Sequence, residues 1–302
     1  MLCQAFELGN KQIVVCAISP DCQTIASTDF CHHNTTPHRL QFGEISQGSF
    51  SLPYELENTY GQVTKIAFSA DSTTVAIGNF QGKIVLQEVN TGRLIKTLDS
   101  GSCVNDIAFS LDGKYMLSCC DYAGTHLWNL KSGDQLDHFS GFQGWTYGVA
   151  FSRDGFFAAA GDDYGCIQIW QISDGVLLNT LNHIFNHLSC FLGLLAFSCD
   201  GDIIASANQL DGTIKFWWWR QEHTLIPLCL QYSNTGISAI AFHPHRPISA
   251  WADGCNVKLW DFEHDAEFDY QHVGQINIIQ FSLDGRKLYI CHTIGFIIVL
   301  QL

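Results

Sequence analysis

Residues Gly144 to Leu181 read GWTYGVAFSRDGFFAAAGDDYGCIQIWQISDGVLLNTL. Four short apolar runs stand out, with three turn signals between them. Val149 and Phe151 belong to the first run, which Arg153-Asp154-Gly155 closes. Phe156 to Ala160 is the second, ending at Asp162-Asp163-Tyr164-Gly165. Cys166 to Ile172 is the third, Ser173-Asp174-Gly175 turns it, and Val176 to Leu181 is the fourth. Runs of four to six apolar or β-branched residues, punctuated by Asp and Gly, predict antiparallel strands joined by tight turns. One sheet of this kind cannot bury both faces alone, so it requires copies of itself.

The copies are present. Phe151-Ser152 recurs as Phe68-Ser69, Phe109-Ser110, Phe197-Ser198 and Phe281-Ser282, with Phe242-His243 and Ile18-Ser19 as weaker members. Acidic or Gly turns follow at Asp21, Asp71, Asp112-Gly113, Asp154-Gly155, Asp200-Gly201 and Asp284-Gly285. From Phe68 onward the spacings are 41, 42, 46, 45 and 39 residues, and Ile18 to Phe68 is stretched to 50. A period near forty with four strands per unit predicts β-propeller blades rather than a helical solenoid.

The third strands end in Leu127-Trp128-Asn129, Ile169-Trp170-Gln171, Phe216-Trp217-Trp218 and Leu259-Trp260-Asp261. With these the chain resembles the WD40-repeat family, in a style similar to bacterial and cyanobacterial members. The resemblance implies an all-β fold: one seven-bladed propeller over 1–302, four antiparallel strands per blade. Blades are expected at about 11–58, 62–100, 103–140, 144–182, 187–231, 236–273 and 275–302 plus 2–8. The sequence stops at the third strand of the last blade, while residues 2–8 form a spare strand. Family rings commonly use the N-terminal strand to complete the last blade, which removes an open sheet edge.

Composition bounds the rest. Of 302 residues, 47% are hydrophobic and 15% charged, enough for a large core. No run of eighteen apolar residues predicts a membrane span, and the N-terminus has no signal-peptide pattern. Thirteen cysteines, an odd number without a Cys-x-x-Cys, are expected to be reduced, with several in strands as small hydrophobes. A cytoplasmic location follows from that expectation. The formal charge of −14, with only fifteen Lys and Arg, argues against nucleic acid as a partner.

Several residues have ligand chemistry. Cys31, His32, His33 and His38 share one polar loop, but adjacent His residues do not easily face one ion, and a solvated loop is the plainer reading. His183 and His187 lie in the long loop before the fifth blade, without helical periodicity to align them. No metal and no cofactor is expected. In many family blades a His before the first strand joins an Asp in the turn before the third. Turn carboxylates remain at Asp121, Asp163, Asp211 and Asp253, but Phe142 stands where the His is expected, and His183 is the best remaining candidate. Trp217 fills the template position, whereas Trp218 and Trp219 exceed it. They read as an interface hot spot or as filling of an inter-blade groove.

No nucleophile elbow, phosphate loop or zinc-protease motif occurs, and the recurring Asp residues sit where turns demand them. A non-enzymatic role is therefore expected. The resemblance implies that loops before the first strands, and between the second and third, share a face where partners dock. That places Gln62, Thr64, Cys103, Asn105, Trp145, Tyr147, Phe191, Gly236, Ser238, Gln275 and Asn277 there, flanked by Tyr122, Asp162 and Tyr164. Trp145 and Tyr147 with Asp162 are the expected hot spot, although Trp145 also reads as inter-blade packing. The expected role is a non-catalytic protein-interaction scaffold: an assembly, sensing or regulatory subunit of a hetero-complex, with a basic or neutral partner. The alternative is a propeller that binds a small molecule or metal, possibly hydrolytic.

Overall fold

The computed structural model describes residues 3–7, 13–29, 40–45, 61–122, 124–183, 192–220, 228–231, 236–264, 266–271 and 274–302. These residues fold as seven antiparallel sheets, six of them simple meanders in chain order and the seventh joining the two ends of the chain. The inner strands of blades one to seven are Ile13–Ile18, Val63–Phe68, Val104–Phe109, Thr146–Phe151, Leu194–Phe197, Ile237–Phe242 and Ile276–Phe281. Each packs against the inner strand of the next blade, and the seventh packs against the first, so the ring closes.

The repeated Phe-Ser-x-Asp is legible in the hairpins. Ser110 Oγ donates to Asp112 Oδ1 at 2.7 Å and accepts from the Tyr115 backbone N–H at 2.9 Å. Asp112 Oδ1 also accepts from Lys114 N at 3.0 Å, so two side chains satisfy the turn's backbone donors. Ser19, Ser69, Ser152, Ser198 and Ser282 make the same Ser–Asp bond in five other blades. Blade six lacks the pair, and His243 Nδ1 substitutes by accepting from His245 N and Arg246 N.

Alternation along the strands sends half the side chains to each sheet face, and both faces are largely covered on the inner three strands while the outer strand stays exposed. Seven apolar clusters fill the seven seams between blades. One joins Ala150, Ile169 and Leu181 of blade four to Leu195, Phe197 and Trp217 of blade five. Another joins Cys16, Ile18 and Ile25 of blade one to Tyr289, Cys291 and Ile297 of blade seven. At roughly 25 cal/mol per Å² of apolar area, such seams are the dominant stabilising term. Polar links cross them too: Thr64 Oγ1 donates to Val104 O (2.5 Å), and Gln280 Nε2 to Ser19 O (3.0 Å).

Closure takes the expected route. Cys3–Glu7 pairs antiparallel with Phe296–Gln301, in a register running from Cys3 opposite Leu300 to Glu7 opposite Phe296. The N-terminal strand is therefore the fourth strand of blade seven. Among the described residues no helix is long and apolar enough to cross a membrane.

The pinning network survives in part. His183 Nδ1 lies 2.7 Å from Ser206 Oγ, which accepts from Trp217 Nε1 at 2.9 Å. In blade three Trp128 Nε1 donates to Ser118 Oγ at 2.9 Å. Blade four has Ala160 at the hydroxyl position, and Trp170 instead stacks on Phe139 (4.5 Å) and meets Phe142 edge-on (5.7 Å). Where the polar link is lost, aromatic packing replaces it.

Candidate partner-binding face

Every inner strand starts at one end of the ring and finishes at the other, which gives the propeller two unlike faces. The turns between second and third strands lie on the starting face, since they bond to the loops leading into the inner strands. Asp163 N donates to Trp145 O (3.0 Å), Phe80 N to Gln62 O (2.9 Å) and Thr293 N to Gln275 O (3.0 Å). Asp163 Oδ1 returns a bond from Trp145 N at 3.0 Å, fixing the Trp145 backbone at the rim.

Side chains on this face are partly exposed and touch one another across blades. Trp145 is 37% exposed, and its ring meets Tyr122 edge-on at 5.4 Å and lies 6.4 Å from Tyr147. Tyr147 points into the axial cavity, which Val15, Lys65, Asn105, Leu194 and Asn277 also line. Beneath the aromatics sit two carboxylates. Asp121 Oδ1 accepts from Asn105 Nδ2 (2.9 Å), which also donates to Thr146 O of the next blade (2.9 Å). Burial pushes the Asp163 carboxyl above its ordinary range, with Asp162 and Asp121 adding to the effect against the Trp145 N–H bond. Burial, then Asp121 and Asp163, lift the Tyr147 phenol to about 12. This neutral aromatic cluster over mutually repelling carboxylates is suited to a cationic or neutral group.

The expected contact residues divide sharply. Tyr122, Tyr164, Trp145 and Tyr147 share the rim. Asp162 is fully buried and is corrected to a turn residue: its Oδ1 accepts from Tyr164 N (3.0 Å) and Cys166 N (2.9 Å). The acidic residue at the surface there is Asp163, one position on. Trp219 is 6% exposed, donates from Nε1 to Gly201 O (2.8 Å) and packs against Phe157 and Phe197. Groove filling is its role, and it offers no contact surface. Trp218 is half-buried with its ring edge-on to Phe262 at 6.0 Å. Phe191 lies outside the described residues, as do His187 and the Cys31–His38 loop. His183 is buried against Ser206 and Trp217, with burial and Lys215 holding its imidazole down at about 2. Among the described residues, Asp261, Glu263 and His264 bring ligand-type atoms within 4.8 Å, in an exposed turn where His264 Nδ1 meets Asp261 Oδ2 at 2.8 Å.

One feature of this face is not visible in the repeat pattern. Tyr122 (81% exposed), Tyr164 (69%), Leu210 (51%) and Ile294 (47%) occupy the same place, the second residue after the second strand's end or its equivalent. Phe80 (57%) precedes that place by one. Five of the six described turns thus present a large apolar side chain, and only blade six, with Asp253-Gly254, does not.

Residues 92–129, 133–171 and 178–217 match the family model "WD domain, G-beta repeat". Each matched segment runs from the outer strand of one blade through three strands of the next. Over 129 residues the chain is 33% identical to "Apoptotic protease-activating factor 1" of Homo sapiens, covering 38% of this chain and 10% of that protein. It is 38% identical over 64 residues to "U3 small nucleolar RNA-associated protein 18 homolog" of Arabidopsis thaliana, covering 21% of this chain and 12% of that one. The chain therefore spans about a tenth of the length of these curated relatives.

Proposed function

From a chain that belongs to the WD40-repeat family and closes as a seven-bladed β-propeller, we propose a non-catalytic scaffold that seats a partner polypeptide on the rim of Tyr122, Trp145, Tyr147 and Tyr164. The observation that carries this reading is the ring of exposed apolar side chains, Phe80, Tyr122, Tyr164, Leu210 and Ile294, on a single face. Rigid aromatic anchors bury area with little entropy loss while keeping a polar end wet. Asp121 and Asp163 select a basic or neutral partner over an acidic one, and the net charge of −14 extends that preference. A role as an assembly or regulatory subunit follows, because a propeller that only presents side chains acts through what it holds. The relatives' printed names place them in protease activation and in association with a small nucleolar RNA, and both are consistent with a module working within a larger assembly. The matched parts are small, so neither task transfers to this chain.

The test is affinity capture from native extract with wild type and a Trp145→Ala/Tyr147→Ala double variant of equal melting temperature. The expected result is a protein held by wild type and weakened roughly tenfold or more by the double variant, the scale of two hot-spot truncations. Equal retention by both would overturn the assignment of this rim.

A further inference from the structure

The opposite end of the ring carries a second site, independent of the rim. Because six of the seven inner strands end in the repeated Phe, five phenylalanines (Phe68, Phe109, Phe151, Phe197 and Phe242) converge around one axial cavity of about 280 Å³. Residues from six blades line it, so it lies on the axis. The positions after Ser form its lip, and they are apolar or uncharged at Pro20, Ala70, Leu111, Cys199 and Pro244. Leu111 is 47% exposed although it sits beside this apolar space.

One lip position differs. Arg153, half-buried, stands where the other blades have small or apolar residues, and its guanidinium pairs with no carboxylate among the described residues. Its neighbours Asp154 and Asp202 are engaged by Arg220 (3.7 and 2.9 Å). An always-ionised, forked donor beside a Phe-lined hole matches a carboxylate attached to an apolar side chain. Outside the lip the charge reverses. The carboxylates of Asp21 and Asp71, in adjacent blades, accept only turn bonds and form no ion pair among the described residues. An end-on axial hole suits a chain terminus better than a segment passing across it. A dry cavity of about 150 Å³ takes benzene, so this one has room for an aromatic or leucyl side chain with its terminal carboxylate.

We infer that this mouth binds the C-terminus of a partner polypeptide: an apolar last residue among the phenylalanines, its α-carboxylate on Arg153, and basic residues upstream over Asp21 and Asp71. With the rim on the opposite face, the propeller would then bridge two chains.

The probes are fluorescent peptides with a Gly-Lys-Gly-Lys spacer ending in Leu-Phe, Leu-Leu or Leu-Trp, as free acids and as C-terminal amides, titrated by polarisation against the full chain. The sign is diagnostic. Amidation makes each peptide more cationic, so attraction to the chain's overall negative charge alone would tighten binding. Capture by Arg153 predicts the reverse, a loss of roughly tenfold or more for the best peptide. Arg153→Gln should remove the preference for the acid, while Trp145→Ala/Tyr147→Ala leaves it unchanged. No binding by any free acid, equal or tighter binding of the amides, or indifference to Arg153→Gln at an unchanged melting temperature would each overturn the proposal.

Discussion

At the scale of single residues, the least replaceable groups are those whose partner lies on a neighbouring strand. His183 was marked by its place after Asn182, but Ser206, which joins it to Trp217, was not. A hydroxyl two strands away becomes a partner only through register, which periodicity does not report. Burial holds the His183 imidazole at about 2 against an ordinary 6.5, and His126 at about 4. The unfolded chain takes up these protons near pH 6.5 while the folded chain refuses them. Stability that is full above pH 6.5 is therefore lost as pH falls, by up to about 1.4 kcal/mol per pH unit for each group. Melting temperature should fall between pH 7 and pH 5. His183→Gln should melt lower at pH 7 yet show a shallower pH slope, and parallel slopes would contradict this assignment. Glycines supply a second comparison. Gly113 has φ +69° with nothing within 4 Å of an added Cβ, so Gly113→Ala should cost about 1 kcal/mol of backbone strain. Gly236 (φ +79°) would place its Cβ 1.9 Å from Gln209 O, so Gly236→Ala should be the more damaging by thermal melting.

At the scale of elements, the hairpin and the closing strand carry the ring. Ser110→Ala removes the acceptor for Tyr115 N and the donor to Asp112, and should lower stability by about 1 kcal/mol in urea unfolding. Deleting residues 1–9 strips five paired residues from Phe296–Gln301 and leaves an open edge. A sharply lower melting temperature, with self-association on light scattering, is the expected outcome, and an unchanged one would show that Cys3–Glu7 adds nothing to closure. The strand count made this element legible: a last blade short of one strand and a spare strand at the start have one economical solution. The turn side chains are less legible in the sequence. Tyr122 and Tyr164 stand out as neighbours of Trp145, whereas Phe80, Leu210 and Ile294 read as ordinary apolar residues, because composition does not say which apolar residues a turn forces into water.

At the scale of the whole molecule, a ring of seven similar sheets gives one rigid body with two different ends, since all inner strands share one direction. Their starting ends build the aromatic, acidic rim and their finishing ends build the Phe-lined mouth, so a single repeat encodes both. The fold was readable because each blade restates it. The face was only partly readable, because what distinguishes Asp162 (buried in its turn) from Asp163 (at the rim) is one step along a strand end. The most direct measurement is hydrogen exchange by mass spectrometry on the chain alone and with the partner captured by wild type. Protection is expected in 121–122, 144–147 and 162–165, and in the equivalent turns at Phe80 and Leu210, with the outer strands unchanged. Protection confined to outer strands such as Leu94–Asp99 or Leu177–Asn182, with the rim turns exchanging as in the free chain, would contradict the claim that this face seats the partner.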